Sequence, residues 1–552
     1  MSFDLRKSMS TKDYYFLSLA IAIFYVFYVF SLDFFTGSNA FWFDVRTDPT
    51  QHITGMWAFV GDSWHFPLLD TNYLNYPEGS NAAFTDSIPI AALLYKLFGW
   101  LFPQEWHYFG WWVFFSYLLQ AIAGAYFLGE ATTKTPLMAL VGVLFAITMP
   151  SLMIRIPHTA LLTQGLLIFM LAFYYLVMQG RQEAVKALNR GLFVLYFSCF
   201  VHPYLTAMIF VVFLVSLLSF WIYKKIALGK TLLYLVFGFV GVFFFWYIIG
   251  YLNFEHSEMQ TTGFEINSMN LLSFLLGTNL AESFFLPSDK FVLDATGLQI
   301  DGHNYLGFGT LLLLGYLLLF HFKVVVKGVL KHWVLVVAVV LLTLYSLSTK
   351  IYVADRLVFA YELPRFFELI SGTFRSSGRF FWTVGYVLVF FSLVTFVVQN
   401  RDKKALYAVL FLVVVQVIDT THHRGYLEEA LSREKYFKVQ DHAKWSELVA
   451  QSTKVYLFPA YKCGAGIEET LMLQYFASLH RKPFNSGFLA RANVECEKKN
   501  SVLKNEVEDD VLYLFVKDKI KEEKIKEFFK DSYEESCKNY EIGVVCKKVS
   551  IK

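Results

Sequence analysis

The sequence predicts a polytopic all-α membrane protein of about eleven crossing helices, ending in a small α/β domain. Three observations predict it. Of 552 residues, 56% are hydrophobic and 19% aromatic while 17% are charged, and a soluble chain of this size lacks the polar surface to cover such a core. Apolar runs of membrane-crossing length recur from Tyr14 to about Asp419, each able to traverse ~30 Å of hydrocarbon. From His422 onward, mixed charge and short strand-like runs replace them.

The predicted spans are approximately 14–33, 107–128, 137–153, 159–178, 191–202, 204–222, 230–250, 306–322, 332–347, 380–398 and 405–419. The first follows Arg6, Lys7 and Lys12 but has no small-residue cleavage site, so it reads as an uncleaved span. The fifth is short because His202-Pro203 interrupts a stretch otherwise too long for one crossing. Ile88 to Phe102, with Lys96 inside it, reads as an interfacial or re-entrant helix. A span there would send every later basic cluster to the wrong face. The clusters are Arg6, Lys7 and Lys12; Arg181, Lys186 and Arg190; Lys224, Lys225 and Lys230; Lys323, Lys327 and Lys331; and Arg401, Lys403 and Lys404. All fall on the side that the count makes cytoplasmic, as the bias of Lys and Arg toward inner loops requires.

This topology puts the N-terminus in the cytoplasm and leaves 34–106, 251–305, 348–379 and 420–552 outside. Residues 1–421 form the transmembrane domain with its loops, and 422–552 the extracytoplasmic α/β domain. Strands are expected at 454–458, 511–516 and 543–549, with an amphipathic helix near 518–531. Four of the five cysteines lie there, and in an oxidising compartment Cys463 pairs with Cys496 and Cys537 with Cys546 by proximity; free thiols in a cytosolic domain are the alternative that the topology opposes. The net charge of +3, dispersed in loop clusters, argues against nucleic-acid binding. A transporter would have short loops and a mid-membrane site, whereas here the ionisable and aromatic residues gather in outer loops.

The first outer loop carries Asp44 and Asp48 close to the end of the first span, then His52, Glu78 and Asp86 among aromatic residues. A carboxylate held at the membrane surface suits a general base; equally, Asp48-Pro49 suits the start of a helix, with Asp48 as cap. Asp48 and His52 are also candidate ligands for a divalent metal, without a compact ligand motif. In Phe374-Arg375-Ser376-Ser377-Gly378-Arg379-Phe380, two guanidiniums stand against the charge bias beside the tenth span. A phosphate suits their planar forks; contact with anionic lipid is the plainer reading. Lys350, Arg356 and Arg365 add to the same outer basic patch. Arg155, His158, His202, Tyr204, His303 and Asn304 sit at predicted membrane edges, where polar groups are functional candidates, although each singly reads as well as a satisfied structural residue.

The arrangement resembles the GT-C superfamily of membrane glycosyltransferases. More narrowly, Asp48-Pro49-Thr50-Gln51, Asn75-Tyr76-Pro77-Glu78-Gly79, Thr85-Asp86-Ser87-Ile88-Pro89 and Phe374 to Arg379 look like a largely uncharacterised bacterial integral membrane family grouped with it. The resemblance runs through residues 40–380. It implies a multi-pass protein of the bacterial inner membrane that moves a sugar from a polyprenyl-phosphate donor to an envelope glycan, lipid or protein. Asp48, then Asp44, maps onto the base, and Arg375 or Arg379 onto the carrier phosphate. The tandem acids of many relatives are missing here. No Gly-rich phosphate cradle, nucleotide signature or Ser-His-Asp pattern competes. The rival classes are a flippase of lipid-linked glycans and a non-catalytic envelope assembly protein.

Overall fold

The computed structural model describes residues 5, 7–253, 262–278, 281–288, 291–400, 403–491 and 494–549. Arg6 and Arg401 of the basic clusters lie outside the described residues. Among those described, seven helices are long and apolar enough to cross a membrane: Thr11–Val29, Phe109–Ala131, Thr159–Met178, Pro203–Ile222, Leu228–Ile249, Ser377–Gln399 and Lys404–Ser432. Phe308–Phe320 and Phe322–Lys331 qualify only together, and they bend by 101°. The bend follows from composition. Lys323, Lys327 and Lys331 share the second helix with exposed Phe322, Val329 and Leu330, an amphipathic pattern that favours an interface over a crossing. The predicted spans 137–153 and 332–347 fall on the shorter apolar helices Pro136–Ile147 and Trp333–Leu347. The predicted 191–202 is the second half of Ala184–Cys199, whose first half carries Lys186 and Arg190. The break after it is built as expected, with Pro203 opening the next helix and His202 Nδ1 accepting from the Tyr204 N–H at 3.2 Å.

The chain divides into two units. The first comprises Met1–Phe35, Trp111–Phe244 and Met259–Ala430; the second comprises Thr36–Gly110, Phe245–Glu258 and Leu431–Lys552. In the first, polar side chains tie helices within an apolar interior: Gln120 donates to the Tyr386 hydroxyl at 2.7 Å, which donates to Gln164 Oε1 at 2.7 Å. Helices Phe109–Ala131 and Pro136–Ile147 touch backbone to backbone, since a Cβ at Gly124 would lie 2.2 Å from the Gly142 carbonyl oxygen.

The second unit departs from the grouping expected from sequence. The sequence groups loop 34–106 with the membrane helices, yet 36–110 folds with the C-terminal residues. The ties are long-range hydrogen bonds that no local pattern reveals. Gln474 Nε2 donates to Thr54 Oγ1 at 2.8 Å, Gln51 Nε2 to the Phe488 carbonyl at 2.6 Å, and the Tyr76 N–H to the Phe484 carbonyl at 2.9 Å. Its sheet runs in the order Lys454–Phe458, Val511–Val516, Gly543–Cys546, Cys537–Tyr540, with the first pair parallel and the others antiparallel. The expected helix is Glu522–Phe529, which lays Ile525, Phe528 and Phe529 on the sheet beside Tyr513 and Phe515. The third expected strand ends at Cys546, and Cys537–Tyr540 was not foreseen. Cys463–Cys496 and Cys537–Cys546 are bonded, as expected, and Cys199 is free and buried. The chain does not change character at His422: helix Thr421–Ser432 continues there and buries His423 and Leu427.

Candidate functional site

In the first unit the predicted Arg155 and Arg379 meet on a carboxylate that sequence reasoning missed, Asp301. Each is placed by backbone geometry. Arg155 follows the short helix Pro150–Met153, Asp301 lies in the 3₁₀ turn Gln299–Gly302, and Arg379 in the 3₁₀ turn Ser377–Phe380. The two turns pack through glycine: a Cβ on Gly378 would come within 2.5 Å of Gly302 Cα. Asn304 Nδ2 locks them, donating to the Gly302 carbonyl at 3.0 Å and the Gly378 carbonyl at 2.9 Å.

Arg155 Nη1 donates to Asp301 Oδ1 at 2.5 Å and Nη2 to the Ile300 carbonyl at 2.7 Å. Arg379 Nη2 reaches both Asp301 oxygens, at 3.0 and 2.9 Å. Trp382 and Tyr204 present ring faces to the two guanidiniums. All three charged residues are buried. Burial pushes the Asp301 carboxyl up, but the Arg379 and Arg155 guanidiniums and nearby His158 outweigh it and hold it well below the usual carboxylate range. Two guanidiniums against one carboxylate leave an excess positive charge in the cluster, and Arg155 Nε is buried with no hydrogen-bond partner among the described residues.

Other predicted residues surround this cluster. Tyr204 accepts the Ser376 N–H at 2.8 Å, which steers the Arg375–Arg379 loop. Arg375 is half-buried, its stem beside Gly263. His303 pairs with another histidine. Its Nε2 lies 3.2 Å from His423 Nε2, both rings fully buried, and burial, with His423 and Arg155, holds its pKa far below the ordinary histidine value.

In the second unit, Asp48 is the first residue of helix Asp48–Gly61 and Thr47 its cap position, one residue earlier than the sequence suggested. The Thr47 hydroxyl turns back to the Asp44 carbonyl at 3.0 Å instead of capping. Asp44 is held in a bidentate pair by Arg46, at 2.8 and 2.7 Å, while Asp48 is half-buried. His52, fully buried on the same helix, places Nε2 3.9 Å from Asp86 Oδ2. Asp86 adopts a left-handed backbone, φ 53°, a conformation that costs a non-glycine residue energy. Glu78 is clamped by the buried Lys499 at 2.6 Å and by Lys498 at 3.1 Å. Lys96 donates to the Phe59 and Ser63 carbonyls at 2.8 and 2.9 Å, and burial pushes its pKa down to about 8.

These features define a helical membrane protein with a buried, net-positive arginine site in one unit and a disulfide-bonded sheet in the other. The chain belongs to the DUF6311 family: that model, described as a domain of unknown function, matches residues 19–421. The DUF6311 C-terminal domain matches residues 444–548. No curated protein matches the sequence.

Proposed function

We propose that the chain is a GT-C-type membrane glycosyltransferase that moves a sugar from a polyprenyl-phosphate-linked donor to an envelope glycan, lipid or protein. The observation that carries this reading is the pair of guanidiniums sharing one buried carboxylate. Such a cluster holds positive charge ready before an anion arrives, which is what a departing lipid phosphate needs. Arg375 and Arg379, with Arg155, serve the carrier phosphate. Asp48 removes the acceptor hydroxyl proton; the Arg46 pairing of Asp44 favours Asp48 for that role. Where a divalent cation takes part, His52 and Asp86 supply the nitrogen and oxygen donors that fit it, and it would polarise a substrate oxygen.

The same reading has eleven spans in the bacterial inner membrane, with the N-terminus cytoplasmic and the disulfide-bonded unit extracytoplasmic. The basic clusters and the persistence of disulfides in oxidising compartments support it.

Native mass spectrometry with added polyprenyl phosphate tests the site: an adduct is expected on the wild type and is lost in Arg379→Gln and Arg375→Gln. Asp48→Asn should keep the adduct but release polyprenyl phosphate from a lipid-linked sugar at least ~100-fold more slowly, as loss of a general base does. Retained turnover in Asp48→Asn removes the base. An undiminished adduct in both arginine variants removes the phosphate site, and movement of the lipid-linked sugar across vesicles with no transfer product makes the protein a flippase.

A further inference from the structure

The segment between helices Trp333–Leu347 and Ser377–Gln399 contains a feature that the glycosyl-transfer reading does not use. Lys350–Val353 and Arg356–Ala360 form an antiparallel hairpin, and the second strand is exposed along its whole length. The register slips at a bulge, where Leu357 pairs with Tyr352, Phe359 pairs with Ile351 and Val358 is the extra residue between them. Neighbours on a strand face opposite ways and cross-strand partners the same way, so Leu357 and Phe359 point to opposite faces. All three are more than half exposed or at half. A hairpin in water turns one apolar face to a core and the other, polar, to solvent; this one is apolar on both. The following turn and helix Glu368–Thr373 continue the pattern with Phe366, 73% exposed, and with Leu369 and Ile370.

The feature has a fixed position. Asn270 Nδ2 donates to the Ala354 carbonyl at 2.8 Å, and Asn270 Oδ1 accepts the Ala354 N–H at 3.2 Å, which holds the turn. The Leu271 N–H donates to the Tyr352 carbonyl at 2.9 Å, so the first strand is the root and Arg356–Ala360 the projecting edge. The Tyr345 hydroxyl, in the last turn of Trp333–Leu347, donates to the Ile370 and Phe374 carbonyls at 3.3 and 3.2 Å. That helix exposes an apolar row through Val337, Leu341 and Leu344, the face that meets acyl chains. Leu369 and Ile370 therefore sit level with the end of a lipid-facing helix.

We infer that residues 355–370 form a paddle inserted into the bilayer surface at the Leu347 end of that helix. The occupant of the patch is lipid. Arg356, Glu362, Arg365 and Glu368 interleave with the apolar residues, as interfacial segments place charges among headgroups and apolar side chains beneath them. The free backbone edge keeps the paddle out of the hydrocarbon centre, where unpaired amides are not tolerated. Since Glu368–Thr373 runs directly into Arg375, insertion sets that guanidinium near the level of lipid phosphates. The paddle stands whether or not the protein transfers sugars.

Single-cysteine variants Val358→Cys, Phe359→Cys and Phe366→Cys, labelled with bimane and reconstituted in phosphatidylcholine vesicles, test this. The positions are exposed, so substitution leaves the core intact, and the native cysteines are disulfide-bonded or buried. Lipids brominated on their acyl chains should quench all three labels, and aqueous iodide should reach them several-fold more slowly than a label at Lys526→Cys in the second unit. Iodide access equal to that at Lys526 would overturn the inference by putting the patch in water. Protection from both quenchers would overturn it by putting protein there.

Discussion

Asp301 joins arginines more than two hundred positions apart, and its burial makes the junction costly to break. Asp301→Asn leaves two buried guanidiniums facing each other across a neutral amide. Loss of one partner from a buried ion pair typically costs about 3–5 kcal/mol, so the variant should melt well below the wild type in detergent; an unchanged Tm would mean that the cluster contributes no stability. The pH dependence has a defined sign. The folded carboxyl is depressed, so its contribution is complete above the unfolded value of ~3.9 and fades only as pH falls through the lower folded one. Acidification to about pH 4 should leave this cluster charged. The arginines were legible because guanidiniums at the edge of apolar runs are conspicuous. Asp301 was not, since one carboxylate in a long loop has no local signature and acquires its meaning from partners at 155 and 379. His423 was missed for the same reason, its partner lying at 303.

At the scale of elements, the second unit is held by a clamp in which two kinds of bond converge. Helix Cys496–Ser501 begins at a disulfide to Cys463 and, three residues on, buries Lys499, whose ammonium donates to Glu78 and to the Asn75 and Tyr76 carbonyls. The disulfide spans 33 positions, and opening a loop of that size costs roughly 3–4 kcal/mol in the chain-entropy account. Reduction, or Cys463→Ser with Cys496→Ser, should lower the melting temperature of this unit and raise proteolysis at residues 75–79; an unmoved transition would show that the helix docks without the bond. Burial raises the Glu78 carboxyl, but Lys499 outweighs it and the net shift is downward. Stability from the clamp is thus present above the unfolded value of ~4.3 and lost as pH falls through the folded one, and Glu78→Gln should flatten the acid limb of the unfolding profile. The buried strands Lys454–Phe458 and Val511–Val516 were readable as unbroken apolar runs, as central strands are. Cys537–Tyr540 was not, because at the sheet edge Lys538 and Asn539 are exposed and polar. The paddle hairpin escaped notice because its apolar residues serve no protein core.

For the whole molecule, seven crossings and eleven differ in where two lysines lie. If only the seven long helices crossed, the chain after Thr159–Met178 would emerge outside, and everything from the end of Leu228–Ile249 to Ser377 would stay there. Lys186 and Lys327 would then share a compartment with the disulfides. If Pro136–Ile147, Ala184–Cys199, Phe308–Phe320 and Trp333–Leu347 also cross, both lysines return to the cytoplasm beside Lys225 and Lys404. The two counts agree on the N-terminus and on the C-terminal unit, because both are odd. The charge pattern supports the proposed eleven: the shorter count would strand Arg181, Lys186, Arg190, Lys323, Lys327 and Lys331 on the outer side, against the bias that orients membrane proteins. Short helices are no obstacle, since packed neighbours and local thinning let a short segment cross at modest cost. Cysteines at Lys186, Lys225, Lys327 and Lys404, all exposed, should resist a membrane-impermeant maleimide in intact spheroplasts and react after lysis. Asn72→Cys and Lys526→Cys should react before it. Labelling of positions 186 and 327 from outside, with 225 and 404 still protected, would establish seven crossings and turn the shorter helices into re-entrant or interfacial elements.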